Sequence, residues 1–246
     1  MKNKLKSNWK WIVYFSLIFV LVLPIIIPHI GKLASYMILF QDFPYNLTMI
    51  FTVLISFTVH ELAHALAAYK LGDDTAKSDN RLSLNPFVHF DFLGTVLFLV
   101  FGYGWAKPVV VDAKKLKNPK IDIALISISG PVSNFCLAFL AGLMMLIMLH
   151  CKIYPPQIIA KFIFEFCIAN ISIGIFNLIP IAPLDGSKVL MSFFPDRCYN
   201  RIQNSKSINT LNSIVFLLLV VLVISGLLYK HIISPMTYHI FDLITF

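Results

Sequence analysis

The chain carries five apolar runs that are each long enough to cross a lipid bilayer as a helix. They cover residues 11–30, 45–70, 122–149, 157–182 and 209–229, and about 20 apolar residues span the hydrocarbon core. Hydrophobic residues make up 58% of the chain and charged residues 13%, whereas soluble domains are roughly 45–50% apolar and 25% charged. The sequence therefore predicts an all-α polytopic membrane protein with about five to six transmembrane helices.

The apolar runs follow one another with short connections, which favours a single membrane-embedded domain over residues 1–246. Its predicted core is 45–186. The run at 11–30 follows four lysines but has no small-residue cleavage site, so we expect a retained anchor helix. The C-terminal helix at 209–229 is followed by a short tail that we expect at the membrane interface.

The distribution of basic residues predicts the orientation. With the N-terminus in the cytoplasm and five alternating helices, the 20 Lys and Arg face the cytoplasm except for Lys32, Lys152, Lys161 and Lys230. The net charge of +8 is therefore interpreted as a topology signal, and no nucleic-acid partner is expected. The four scattered cysteines include no CxxC pair, which argues against a thiolate metal site.

Residues 92–111 are apolar but contain three glycines, a proline and β-branched ends. A span here would move five lysines to the outside, so we expect a re-entrant, β-hairpin-like element that enters from the cytoplasmic face. Irregular backbone at membrane depth is tolerated only beside protein or a watery cavity. The alternative is a short buried helix.

A possible catalytic motif lies in the second run, where His60, Glu61 and His64 form HELAH. On a helix, residues four apart share a face, so two imidazoles can bind one ion while Glu61 acts on a water beside it. A charge at the centre of a membrane helix costs about 2.5–3.5 kcal/mol and usually has a function. The motif predicts a zinc hydrolase with Glu61 as general base.

A catalytic zinc site needs a third protein ligand. Glu165 is set aside because it lies toward the outer end of its helix and forms an i, i+4 pair with Lys161. Asp185 lies in NLIPIAPLDG, at the cytoplasmic end of a helix broken by Pro180 and Pro183. It is either the third ligand or a cap of the next helix.

These motifs together resemble the site-2 protease family of intramembrane zinc metalloproteases. The resemblance runs from about residue 57 to 186 and includes HELAH, RLSLNPFVHFDFLG (81–94), GWAKPVVVD (104–112), GPVSN (130–134) and NLIPIAPLDG (177–186). It implies His60, His64 and Asp185 as zinc ligands and Glu61 as the catalytic carboxylate. It matches Asn177 to a residue near the bound substrate or metal, and residues 92–111 to a re-entrant β element.

The resemblance implies regulated intramembrane proteolysis, in which single-pass membrane proteins are cut within or near their transmembrane segments. We expect a multi-pass protein of the cell membrane, active toward the cytoplasmic side, without PDZ or CBS domains. The alternative is a metal-ion transporter, which would place ligands along a path or in repeated halves.

Four further polar residues have plainer interpretations. Asn134 and Asn170 are interpreted as interhelical hydrogen-bonding residues, whereas Asn177 is open between packing and contact with the transition state. His89 is expected at the surface or interface and not as an additional ligand.

Overall fold

In the computed structural model of the chain, the described residues are 43–91, 94 and 106–245. Within these ranges the protein is mostly helical, and the β-pairing there is limited to an isolated antiparallel bridge between Phe90 and Ala106. The predicted anchor helix at 11–30 lies outside the described residues.

Long apolar helices form the body of the described structure. The helices, in chain order, are α1 (Phe43–Lys70), α2 (Thr75–Ser78), α3 (Pro119–His150), α4 (Gln157–Asn177), α5 (Asp185–Ser192), α6 (Asp196–Asn204), α7 (Lys206–Ile224) and α8 (Ser234–Thr245). Among the described residues, α1, α3 and α4 are long and apolar enough to cross a membrane, whereas α7 has a shorter apolar part, Thr210–Val223. Three predicted spans are thus confirmed as candidates, and the count of five to six stays a prediction.

Small side chains allow α3 and α4 to approach closely. Ala138, Ala141 and Cys167 are buried in their contact, and the Cys167 thiol donates to the Ala138 carbonyl at 3.4 Å. Where lipid surrounds a bundle, helix association depends on such close packing because apolar burial alone gives little driving force. The contact fixes α4, and with it the start of α5, relative to α1 and α3.

Helix α4 ends at Asn177, five residues before the end of the predicted span at 182. Pro180 and Pro183 lack the amide proton that a continuing helix needs, so the chain turns between Leu178 and Leu184. Helix α5 then begins at Asp185. A Cβ at Gly186 would lie 2.1 Å from the Leu178 carbonyl oxygen, so glycine allows α5 to start directly against the end of α4.

Residues 107–112, which we call the extended segment, run along the C-terminal half of α1. The Lys107 amide donates to the His89 carbonyl (2.8 Å), the Val109 amide donates to Glu61 Oε2 (3.2 Å), and the Asp112 amide donates to Asp73 Oδ2 (2.7 Å). These contacts lie at the C-terminal flank of the predicted re-entrant element at 92–111. Most of that element lies outside the described residues, so the hairpin stays a prediction.

The C-terminal tail forms helix α8, which packs against α3 and α4. The Thr237 and Ser172 hydroxyls are 3.1 Å apart, and the rings of Phe241 and Phe164 meet edge to face at 5.5 Å. The tail predicted to be interfacial is therefore helical and in contact with two apolar helices, while its depth in the bilayer stays a prediction.

Candidate metal centre

Three ligand-type atoms converge where α1 meets the start of α5. The Nε2 atoms of His60 and His64 are 3.0 Å apart, and Asp185 Oδ2 lies 3.3 Å from the first and 3.1 Å from the second. All three residues are buried. His60 and His64 lie four residues apart on one face of α1. Asp185 follows His64 by 121 residues in the chain, and the turn after α4 places it beside them.

The spacing of these atoms suits zinc. Tetrahedral ligands at about 2.0–2.1 Å from zinc lie roughly 3.3–3.4 Å from one another, close to the distances between the two imidazoles and the carboxylate. A metal could therefore take all three atoms with small adjustments.

The hydrogen bonds at Nδ1 of the two histidines also leave their Nε2 atoms available to a metal ion. His60 Nδ1 lies 2.6 Å from Asn134 Oδ1, and His64 Nδ1 lies 2.7 Å from the Ile126 carbonyl. Because these oxygens only accept, both Nδ1 atoms carry a proton. When both rings are neutral, as metal binding requires, their Nε2 lone pairs face the Asp185 carboxylate oxygen, which is the arrangement of a metal-binding triad.

The orientation of the Asn134 amide follows from its other contacts. Its Nδ2 donates to Asn170 Oδ1 (2.8 Å) and to the Ser56 carbonyl (3.3 Å), so its oxygen must face His60. The interhelical bonding expected of Asn134 and Asn170 is confirmed. The contact with His60 was not anticipated, and the GPVSN motif was its only sequence signal.

Glu61 lies beside the triad and not within it. It is 8% exposed, and its Oε2 accepts the Val109 amide of the extended segment. Asp185 Oδ1 is 3.3 Å from the Lys188 ammonium, which leaves Oδ2 for the triad. Asp185 is the first residue of α5, whose N-cap is Leu184, so Asp185 does not occupy the N-cap position.

Gly130 of α3 lies directly against both imidazoles. A Cβ there would be 2.5 Å from His64 Nε2 and 2.7 Å from His60 Cε1. Gly130 lies in the GPVSN motif, but its role depends on which helix crosses α1, and the motif alone does not indicate that.

Other predicted residues form their hydrogen bonds and ion pairs outside the triad. The Asn177 amide donates to the Ile173 carbonyl of its own helix (3.0 Å). Glu165 accepts from Thr48 (2.6 Å) and pairs with Lys161 (3.5 Å), as its exclusion from the metal site predicted. The expectation that His89 lies at the surface was wrong, because its side chain is fully buried.

Comparison with known proteins identifies the family. The protein "Putative zinc metalloprotease YwhC" of Bacillus subtilis (strain 168) is 42% identical over 180 residues, which cover 70% of this chain and 80% of that protein. The chain belongs to Peptidase family M50. The M50 family match itself covers residues 143–222, which include Asp185 but neither histidine.

A second M50-like relative is more distant. "Putative zinc metalloprotease MJ0611" of Methanocaldococcus jannaschii is 35% identical over 136 residues, covering 54% of this chain and 64% of that protein. No solved structure matches the chain. The resemblance to the site-2 protease family is thus confirmed: the protein is a membrane metalloprotease of the M50 family with zinc as its cofactor.

Proposed function

We propose that this protein hydrolyses peptide bonds within or near the transmembrane segments of single-pass membrane proteins, as in regulated intramembrane proteolysis. In this proposal His60, His64 and Asp185 bind zinc and Glu61 is the general base. The supporting observation is the convergence of two histidine Nε2 atoms and a carboxylate oxygen within 3.3 Å, buried where α1 meets α5.

The chain's own residues supply the proton chemistry. When bound, zinc acts as a Lewis acid and lowers the pKa of water toward ~7. Glu61, one position after His60, takes the proton of the attacking water and passes it to the leaving amine. Lys188 neutralises the second oxygen of Asp185. Asn177 enters the proposal as an oxyanion contact through the family resemblance alone.

The extended segment is suited to bind an unwound substrate. A helical substrate must open before its carbonyl is attacked, which frees backbone groups that then need partners. The extended segment lies at Glu61, and Val110 on it is 60% exposed. Pairing of the substrate along this edge would replace the lost hydrogen bonds and place the scissile bond beside the base.

The proposed location is the cell membrane, with several spans, a cytoplasmic N-terminus and the active site toward the cytoplasm. Glu61 lies nine residues, about 13.5 Å of helix, before Lys70. The Lys and Arg distribution supports placing Lys70 on the cytoplasmic side. Water would therefore have a short path to the site from that side.

A metal-ion transporter is the alternative function. Transport favours ligands at successive depths, whereas the ligand atoms found among the described residues form one group within 4.8 Å. Proteolysis is the better account of this clustering.

The test compares substitutions of the base, a ligand and an excluded carboxylate in the full-length protein. Glu61→Gln should retain zinc but lose about 10²–10⁴ in the rate of cleavage of co-expressed single-pass proteins. His60→Ala and Asp185→Ala should lose both zinc and cleavage, whereas Glu165→Ala should keep both. Cleavage at the wild-type rate by Glu61→Gln would refute the proposal. So would transport of Zn²⁺ into liposomes by a protein that shows no proteolysis, if Glu61→Gln altered that transport.

A further inference from the structure

We propose that Arg81 and His89 are positioning residues for the catalytic carboxylate, because they hold the extended segment in the register at which Val109 meets Glu61. The inference rests on the proposed function of Glu61. Neither side chain is part of the triad, and sequence analysis gave neither a role in the reaction.

Both residues act on the extended segment at Lys107. The Lys107 amide donates to the His89 carbonyl (2.8 Å), and the Lys107 carbonyl accepts from Arg81 Nη1 (3.3 Å). Val109, which donates to Glu61, is two residues away, about 7 Å along an extended chain. A shift at Lys107 is therefore transmitted directly to the hydrogen bond on Glu61.

The side chain and the backbone amide of His89 both form hydrogen bonds within the loop that contains this residue. Its side chain is fully buried, its Nε2 donates to the Ser83 carbonyl (2.8 Å), and its amide donates to the Pro86 carbonyl (2.9 Å). Because the Ser83 oxygen only accepts, Nε2 carries a proton, whereas Nδ1 has no hydrogen-bond partner among the described residues. Buried polar atoms without a hydrogen bond are rare. We therefore attribute the presence of a histidine at this position to the hydrogen bond from Nε2 to Ser83, which fixes the geometry of the loop.

Arg81 is unusual for a buried cation. It is 6% exposed, and within the described ranges it forms no ion pair. Its guanidinium instead donates to the Lys107 carbonyl, and charge-assisted hydrogen bonds are stronger than neutral ones. Burial of a charge without a carboxylate is costly, which is consistent with a role in fixing this particular backbone oxygen.

The experiment uses isosteric substitutions of His89. A glutamine amide reaches the position of Nε2 and can donate to the Ser83 carbonyl, whereas the shorter asparagine amide reaches only the position of Nδ1. His89→Gln, which keeps a donor at the position of Nε2, is therefore the conservative control for His89→Asn. Arg81→Lys, which keeps the positive charge, is the conservative control for Arg81→Met. The register is measured by spin labels at Val110→Cys and Leu66→Cys, both exposed positions, in a variant whose four native cysteines are replaced.

Activity is measured as cleavage of a purified single-pass membrane protein in detergent, and zinc content is measured by metal analysis. His89→Asn and Arg81→Met should broaden the Val110–Leu66 distance distribution and lower kcat roughly 10–100-fold, since small misplacements of catalytic groups have effects of this size. KM and zinc content should change little. His89→Gln and Arg81→Lys should restore most of both readouts.

Unchanged distances in His89→Asn and Arg81→Met would overturn the inference whatever the activity. Zinc loss in proportion to the loss of kcat would also overturn it, because the effect would then act through the metal site. Absence of Glu61-dependent proteolysis in the wild-type protein would instead refute the proposed function, and the spin-label distances would still report on the register.

Discussion

At the scale of single residues, Gly130 determines whether the two imidazoles can reach their positions. Its α-carbon faces His60 and His64 so closely that any side chain would occupy the space of the rings. Gly130 belongs to α3, whereas the two ligands whose positions it limits, His60 and His64, belong to α1.

Gly130→Ala should therefore weaken zinc binding strongly. The added methyl would lie 2.5 Å from His64 Nε2, and buried rings held by Asn134 and Ile126 have little room to move. Chelator competition on the purified protein should find the zinc affinity reduced at least about tenfold, the lower end of the effect of disturbing groups that orient ligands.

The matched control is Gly174→Ala on α4. There the methyl would meet the Phe135 ring at 2.8 Å, away from the triad, and zinc should be retained. If zinc binding weakened equally in Gly130→Ala and Gly174→Ala, loss of helix packing would explain the effect at Gly130, and contact with the ligands would not.

The sequence predicted the residues whose relation is local and missed those whose relation is tertiary. His60 and His64 share a face through helix geometry alone, so their pairing followed from their spacing. The roles of Gly130 and Asn134 depend on α3 crossing α1, which no periodicity indicates. His89 was placed wrongly because a polar residue in a connecting loop is usually exposed, whereas here the loop folds around it.

At the scale of elements, Asp73 links the extended segment to the C-terminal end of α1 through its hydrogen bond with the Asp112 amide. Burial by itself raises the pKa of this carboxyl group. The Thr75 hydroxyl and amide, the Asp112 amide and the Lys115 ammonium outweigh burial, so the pKa of Asp73 lies below its ordinary value. The ionised form is thus favoured by folding.

The stability that Asp73 provides should depend on pH in a defined direction. Because its pKa is lower in the folded state, the contribution is fully present above the ordinary value of about 4 and is lost as pH falls through the folded-state value. Asp73→Asn should melt at a lower temperature than wild type at pH 7, and the gap should close below about pH 4. Thermal unfolding in detergent measures it, and a gap that is constant with pH would contradict the assignment.

The elements themselves were predicted unevenly. Helices α1, α3 and α4 were expected from their apolar length, and their positions agree within a few residues. The end of α4 was placed too late, because apolar residues continue through the turn while Pro180 and Pro183 end the helix. The turn brings Asp185 to the histidines, so hydropathy alone could not place the third ligand.

At the scale of the whole molecule, two native cysteines report the orientation. Cys151 follows α3 and Cys198 lies in α6, and both are exposed. A cytoplasmic N-terminus places Cys151 outside and Cys198 in the cytoplasm. In intact cells a membrane-impermeant maleimide should label a variant that keeps only Cys151 and spare one that keeps only Cys198.

Permeabilised cells provide the control, since both variants should then react. A cysteine introduced at Asn118 should behave like Cys198. The opposite labelling pattern in intact cells would contradict the proposed orientation and place the metal centre toward the outside.

The contacts of Asn134 bear on how a substrate could enter. This one side chain bonds to His60 and Ser56 on α1 and to Asn170 on α4, while belonging itself to α3. The three helices are thereby joined at the depth of the metal, and none can move away without breaking a hydrogen bond of Asn134, the residue that orients His60. We therefore expect them to move as one rigid body, with admission of substrate controlled by displacement of other parts of the chain.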